Sequence, residues 1–561
     1  MNRHTCSQAM IEQFLADGIH LMFGNPGTAE QGFLTTLHQY PEFRYILCLQ
    51  EAVAVAAADA YVRATHHPVV VQLHAGVGLG NGIGMILQAA TCNSPLVVIA
   101  GEAGLRYDAL QAQMYADLVS MAKPVTKWAT RVVDTGSVLR VIRRAVKVAM
   151  TPPVGPVFVC LPADIMESEC QQEVISTTIP VTSNLPEYSI LEQAARLLQD
   201  AEHPMLIIGD GVAWSGAQDA LQRVAELLGA EVWGANSHEI NFSFRHPLWQ
   251  GELGHVFGSK SSAITRQADA ILIVGTYVFP EVYPNLSNVF APGAKIIHID
   301  LDAYSIGKNF PVNLGVVGDP KLTLNALANI LENKMTPEQK SAARQRTEKI
   351  SQIKDQKLAK QNEQDHAQRE DVPVAFSRFM EELSKVLPSD VVIFDEALTA
   401  SGTLTRYLKP HLAGYFFQTR GGSLGVGLPG AIGLQLAYPD RLVIGFTGDG
   451  GGMATIQALW TAARYKLPAK FVIINNASYA LLKVNVLQYW REQRIPAQPL
   501  PEFYNLDTPC IDFVGMAQAM GVPGARIETP DQIMPGIKRM LESRTPFLLE
   551  VVTTEDIPDF N

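Results

Sequence analysis

The chain reads as an α/β protein made of three doubly wound parallel-sheet domains. Strand-length apolar runs recur between segments of helical periodicity along most of its length, the rhythm of strands joined by helical crossovers. Its 561 residues set an expectation of three or four domains, each with its own core. With 47% hydrophobic and only 18% charged residues, burial is expected to be extensive, subunit interfaces included.

The first domain is expected over residues 1–180. Its strands are HLMFG, RYILCLQ, PVVVQLH, PLVVIAG and GPVFVCLP, with helical patterns between them. A polar, Pro-containing stretch from Thr177 reads as a linker. The central domain, residues 187–335, carries PMLIIGDG, AEVWGAN, ADAILIVG and AKIIHID. Its Gly209-Asp210-Gly211 has no Asn-Asn pair at a matching distance, so it reads as a strand-end turn. Residues 336–371 are charged and Gln-rich with few large apolar side chains; a solvated helical connector is expected there, a disordered tether being the alternative. The third domain, residues 372–561, carries DVVIFDEA, YFFQTRG, RLVIGFT, AKFVIINN and FLLEVVT. The first and third domains share a strand–helix rhythm.

Composition excludes several classes of function. A net charge of −11 without any basic run argues against nucleic-acid binding. The N-terminal stretch has an amphipathic helical pattern instead of a charged region followed by an apolar core, so no signal peptide is read there. No uninterrupted apolar stretch is long enough to span a membrane. Six cysteines without CxxC pairing, mostly in apolar runs, are expected to be reduced and packed in a cytoplasmic protein.

The chemistry concentrates at Gly448-Asp449-Gly450, with Asn475-Asn476 following one helix and one strand later. This unit places Asp449 and Asn476 at one edge of a parallel sheet beside a helix N-terminus. Glycines allow close backbone approach, the helix end favours phosphate charge, and hard oxygens suit Mg²⁺ bound to a diphosphate. At the other end of the chain, three features gather at neighbouring strand ends, where open α/β sheets bind ligands. These are the FGNPGTAE loop, Glu51 at the start of an apolar helix, and His74 before the Gly-rich AGVGLGNGIGM, read as a loop. Alone, Glu51 is a favourable first-turn charge and Thr28 an ordinary loop or capping residue.

Together FGNPGT, LQEA, LHAGVGLGNG, RGGSLGVGLPGAIG, ALWTAARYKLP and the Gly-Asp-Gly…Asn-Asn pair resemble thiamine-diphosphate (ThDP) enzymes, and most of all their benzoylformate decarboxylase branch. The resemblance runs the whole chain in order. It implies a pyrimidine-binding, a central and a diphosphate-binding domain, with ThDP and Mg²⁺ held between subunits of a homodimer or homotetramer. By motif position it implies Asp449, Asn476 and the Ser478 carbonyl as metal ligands. It also implies cofactor contacts from Thr399, Gly422, Leu424, Gly448, Gly450, Gly451 and Tyr479. Glu51 would bond the pyrimidine N1′, its burial raising its pKa toward neutrality. Leu424 would wedge the cofactor into its bent form. His74 and Thr28 would contact the substrate, a 2-oxo acid or related carbonyl compound.

One departure bears on the reaction. The branch carries a second active-site histidine in a segment similar to GTYVFPEVYPN (residues 275–285), where this chain has Glu281, Val282 and Tyr283. His255, in GELGHVFG, lies in another loop. Lys483 and Asn485 follow the Asn-Asn motif, and Arg420 adds a cation at the cofactor loop. These residues point to a polar or anionic acceptor. Three readings remain: a decarboxylase/carboligase, favoured by NPGT, His74 and the full-length resemblance; an acetolactate-synthase-like transferase or 2-hydroxyacyl-CoA lyase, favoured by the missing histidine and the basic residues; and a non-catalytic ligand-binding relative. The third is disfavoured by the presence of Glu51, Asp449 and Asn476. FAD or ADP binding by the central domain is left open.

Overall fold

Apolar runs and the helices between them assemble into three six-stranded sheets, all of whose strand pairs are parallel, in a computed structural model. The structure describes residues 4–555 except Val278, Pro280 and Arg420. The first sheet holds β1 (Leu21–Gly24), β2 (Arg44–Leu47), β3 (Val69–His74), β4 (Leu96–Glu102), β5 (Trp128–Arg131) and β6 (Val157–Pro162). The second holds β7 (Pro204–Ile208), β8 (Glu231–Gly234), β9 (Trp249–Glu252), β10 (Ala270–Val274), β11 (Lys295–Asp300) and β12 (Leu314–Val317). The third holds β13 (Val392–Glu396), β14 (Phe416–Gln418), β15 (Val443–Gly448), β16 (Lys470–Asn475), β17 (Gly524–Ile527) and β18 (Phe547–Val552). The first and third sheets share one strand order, β2-β1-β3-β4-β6-β5 matching β14-β13-β15-β16-β18-β17. The rhythm common to the two ends of the sequence is therefore a repeated topology. The central order, β12-β11-β10-β7-β8-β9, is that of a dinucleotide-type doubly wound sheet.

Four strands escape the sequence reading: β5, β9, β12 and β17. All four lie at sheet edges. An edge strand is half solvated, so it lacks the continuous apolar run that marks its buried neighbours.

Two helices weld the outer domains together. The Glu51–Thr65 helix is rich in Ala and Val, and its small side chains let the Gly427–Ala437 helix approach closely. At Gly433 a Cβ would run into the Ala57 carbonyl, so only glycine fits. Tyr465 adds a polar tie, its hydroxyl accepting from the Leu47 amide at 2.9 Å and donating to the Tyr45 carbonyl at 3.1 Å.

The central domain joins both through Arg63, which is buried. Its Nη2 donates to the His238 carbonyl at 2.8 Å and to the Gln418 carbonyl at 3.3 Å, and its guanidinium lies over the rings of Phe394 and Phe417. Asp59 and Glu239 face it at 4.0 and 3.6 Å. Asp210 follows β7 and accepts the His238 and Glu239 amides and the Asn241 side chain, at 2.8, 3.1 and 2.9 Å. The central Gly-Asp-Gly is thus a turn that builds the junction.

The charged stretch forms one helix, Pro337–Ala367, opened by a capping box between Thr336 and Gln339. Lys354 donates to the Phe244 and His246 carbonyls, and Asp365 pairs with Arg406, so the helix bridges the central and third domains. The Gly-rich segment after His74 is a helix, Ala75–Thr91, and not a loop. It packs beside β3, with Gly82 against Leu73, where small residues allow close approach.

One prediction arises in the central sheet. His298 on β11 is fully buried; its Nδ1 accepts the Gly307 amide at 3.2 Å, so Nε2 carries the proton and donates to the Thr276 carbonyl at 2.8 Å. Burial depresses its pKa to about 4, against the raising effect of Thr276. The unfolded chain binds a proton near pH 6.5 that the folded chain refuses until about pH 4. Stability is therefore full above the unfolded value and is lost as pH falls through this window, by about 3 kcal/mol. Urea unfolding from roughly pH 7 to pH 4 should show a shallower decline in His298→Gln than in wild type. Identical declines would place the acid sensitivity elsewhere.

Candidate active site

In the first domain the site residues cluster at the C-terminal ends of β1, β2 and β3, with the end of β4 beside them. Glu51 opens its helix, is 6% exposed, and accepts from Asn25 Nδ2 at 3.2 Å and Asn81 Nδ2 at 3.1 Å. Both asparagines sit inside the motifs that drew attention to the region, and neither was singled out from sequence. Gly78 lies against Glu51 Oε1, and a Cβ there would press on the carboxylate at 3.1 Å. His74 ends β3, and its Nδ1 pairs with Glu30 Oε2 at 2.9 Å. Glu30 is buried, and its other oxygen accepts the Gly101 amide at 2.7 Å. A carboxylate can only accept here, so Nδ1 holds the proton and Nε2 is left to exchange one. Glu30 is thus a positioning residue that sequence reasoning missed, although it closes the FGNPGTAE motif. Thr28, exposed, begins the short 3₁₀ turn Thr28–Glu30.

In the third domain β15 ends at Gly448, and Asp449 begins a short helix, Asp449–Ala454, as the strand–turn–helix reading requires. Asp449 is 3% exposed, and its Oδ2 accepts the Ser478 amide at 3.2 Å. Asn476 Oδ1 accepts the same amide at 3.1 Å. Two side-chain oxygens from separate strand ends thus converge on one N–H. Ala477 between Asn476 and Ser478 adopts φ +52°, the left-handed conformation that makes this tight turn. Burial raises the Asp449 pKa, while the Gly450 and Ser478 amides hold it down. Gly450 packs under the Tyr479 ring, where a Cβ would collide, and Gly451 lies against Thr447 and Glu396.

The loop from Gly421 to Gly427 rests on a residue outside the sequence motifs. Glu396, buried at the end of β13, accepts the amides of Gly425, Val426 and Gly427 at 2.6, 3.1 and 2.7 Å and the Thr447 hydroxyl at 2.9 Å. Burial raises its pKa; those same hydrogen bonds oppose the rise. Held this way, the loop presents Leu424 to solvent at 38% exposure, beyond Gly422 at φ +84°. Thr399 lies in the exposed 3₁₀ turn Leu398–Ala400 just after β13. Arg420 lies outside the described residues.

Lys483 behaves differently from its sequence reading. Its ammonium is buried against Glu555 Oε1 at 2.6 Å and Asn505 Oδ1 at 2.7 Å. That pairing satisfies the charge within the chain, so it is not held out toward an anionic acceptor. The 281–283 segment runs beside the His255 loop: Val282 and Tyr283 amides donate to the His255 and Val256 carbonyls at 3.2 and 2.8 Å. Glu281 is buried against the Ser261 hydroxyl, which also accepts the Gly254 amide. His255 and Val282 line a cavity of about 250 Å³ together with Glu252, Tyr277, Gly421 and Gly422. His255 therefore stands beside the segment that lacks a histidine.

Comparison with known proteins follows the same division of the chain. Residues 4–121, 191–327 and 400–551 match, in order, the N-terminal TPP binding domain, the central domain and the C-terminal TPP binding domain of thiamine pyrophosphate enzymes. The chain belongs to the thiamine-diphosphate enzyme family. It is 30% identical over 556 residues to benzoylformate decarboxylase of Pseudomonas aeruginosa, covering 98% of this chain and 99% of that protein. It is 29% identical to a probable acetolactate synthase large subunit of Methanocaldococcus jannaschii, with 97% and 91% covered. The solved structure of a thiamine diphosphate-dependent 4-hydroxybenzoylformate decarboxylase from Rhodococcus jostii matches with a TM-score of 0.85 at 28% identity, covering 99% of this chain and all of that one. ThDP is accordingly the cofactor of this enzyme.

The residues at the third-domain turn fit a metal-bound diphosphate. The Asp449 and Asn476 side-chain oxygens that meet at the Ser478 amide are hard donors, and a cation there would compensate a carboxylate that burial disfavours. Among the described residues no hydrogen bond or ion pair joins the Glu51 group to the Asp449 group. Each of these two candidate half-sites is assembled within its own domain.

Proposed function

We propose that this enzyme is a ThDP- and Mg²⁺-dependent 2-oxo acid decarboxylase and carboligase of the benzoylformate type. It would act as a homodimer or homotetramer in the cytoplasm. The convergence of Asp449 and Asn476 on the Ser478 amide carries the cofactor assignment, and the His74–Glu30 pair carries the reaction class. Six unpaired cysteines suit a reducing compartment, and no helix among the described residues is long and apolar enough to cross a membrane.

When bound, ThDP supplies the electron sink for cleaving the bond between the carbonyl carbon and its carboxylate. Asp449, Asn476 and the Ser478 carbonyl would hold its Mg²⁺; Gly448, Gly450 and Gly451 leave room for the phosphates, and Tyr479 closes the turn. Leu424, with Gly422 and Thr399 beside it, would shape the cofactor. Glu51, steadied by Asn25 and Asn81, would keep a proton at the pyrimidine N1′. His74 would exchange a proton with substrate through Nε2, and Thr28 would contact the substrate. Support for a second subunit completing the site comes from apolar side chains that one chain leaves in solvent, Leu424 and Met453 on one half, Leu49 and Val77 on the other.

The acetolactate-synthase-like reading is favoured by the lack of a histidine at 281–283. If protonation of the product-forming carbon is slow, an aldehyde or second 2-oxo acid should raise donor turnover and divert product to a 2-hydroxy ketone or acetolactate-like acid. Val282→His, at the rim of the Gly421–Gly422 cavity, should shift the balance toward free aldehyde. A screen of 2-oxo acids with and without acceptors, read as CO₂ and by mass spectrometry, decides between them. Fast aldehyde release that no acceptor alters would leave plain decarboxylation.

A further inference from the structure

β16 and β18 are parallel neighbours in register, with Asn475 beside Val552, so both strands stop at the same sheet edge. Asn475 then turns into the proposed metal-binding residues, while β18 continues through Thr553, whose amide donates to the Asn475 carbonyl at 2.9 Å. Two residues later the chain passes over that turn. There Glu555 accepts the Ser478 hydroxyl and pairs with Lys483 at 2.6 Å. Lys483 also donates to Asn505, and Asn505 bridges Ser478 across the backbone. The Tyr479 amide donates to the Tyr504 carbonyl, and the Leu506 amide to that of Ala477. The turn is therefore sewn on one side to residues 504–506 and clamped on the other by a single carboxylate.

We propose that Glu555 and Lys483 form a clasp that fastens the C-terminal segment over the Asn476–Ser478 turn and sets how firmly the enzyme retains its metal-bound diphosphate. Ser478 is the joint of this device: its hydroxyl goes to Glu555, its amide goes to both Asp449 and Asn476, and its carbonyl is the proposed third metal ligand. Without Glu555, Lys483 becomes a buried cation short of its counter-charge, and the Ser478 hydroxyl is left with the Tyr504 carbonyl at 3.3 Å as its acceptor. A charge-assisted pair at 7% exposure of the lysine side chain is shielded from the solvent screening that weakens surface pairs. Glu555 and Lys483 are positioning residues, acting through Ser478, and the inference rests on the metal-ligand reading of the turn.

The test compares wild type, Glu555→Gln, Lys483→Met and the charge swap Lys483→Glu with Glu555→Lys. Each is loaded with ThDP and Mg²⁺, and cofactor release is followed by intrinsic fluorescence after adding a chelator. Melting of the apoprotein is measured in parallel. Release from Glu555→Gln and from Lys483→Met is expected to be faster by on the order of tenfold, with apoprotein melting unchanged in Lys483→Met, which leaves no buried cation, and partial recovery in the swap. Wild-type release in Glu555→Gln, or a loss matched by lower apoprotein melting and not recovered by the swap, would overturn the clasp. Asp449→Ala serves as the control: normal Mg²⁺-dependent retention there overturns the metal reading itself, whereas its loss alongside a normal Glu555→Gln overturns only the clasp.

Discussion

Asp449→Ala is expected to abolish retention of ThDP. Asp449 is the one carboxylate in the proposed metal set, and Mg²⁺ in phosphate sites leans on one or two carboxylates with the remaining positions filled by phosphate, carbonyl and water. The variant also frees the Ser478 amide from Asp449 Oδ2, so the turn loses an internal hydrogen bond together with the metal ligand. Calorimetric titration of ThDP at saturating Mg²⁺ should show affinity falling by more than about a hundredfold, because removing a ligand exceeds the tenfold-to-hundredfold effect of removing a group behind one. The apoprotein should be no less stable, since burial of Asp449 without a cation disfavours its charge. Undiminished ThDP affinity would remove Asp449 from the site.

Glu51→Gln should leave ThDP bound but nearly inert. Glutamine preserves the size that Gly78 accommodates, yet it cannot hold and release a proton at the pyrimidine N1′. One of its two terminal atoms is an NH₂ group, so either Asn25 or Asn81 loses its acceptor and must turn over, costing about 1 kcal/mol of local order. Turnover is expected to drop on the order of a hundredfold or more, the scale of an acid–base group. Hydrogen–deuterium exchange at C2 of the bound cofactor reads the effect directly. Exchange at the wild-type rate would return Glu51 to a first-turn charge complementing its helix dipole.

Lys483 shows where local reading stops. From sequence it is a cation just past the Asn-Asn motif, available to an anionic substrate. Its two partners, Asn505 and Glu555, lie far along the chain, and no local pattern announces them. Glu30 and Glu396 are similar cases. Each is one acidic residue among many, and its importance comes from the backbone amides and the histidine that tertiary packing brings to it. The Gly-rich segment after His74 misleads for the opposite reason: glycine disfavours an isolated helix, but packing against β3 and the Glu51–Thr65 helix overrides that preference.

The order of residues alone establishes that three parallel α/β units follow one another and that Glu51, His74, Asp449 and Asn476 stand at strand ends. Apolar runs buried on both faces declare themselves, and a parallel sheet carries all its strand C-termini to one edge. It did not determine β5, β9, β12 and β17, whose half-solvated edge positions leave no apolar signature. Nor did it determine that Asp449 and Asn476 meet at one amide, that Glu30 sets the proton on His74, or that Glu555 closes over Ser478. Those contacts join residues remote in the chain, and they form only because packed strands and helices fix where each side chain stops.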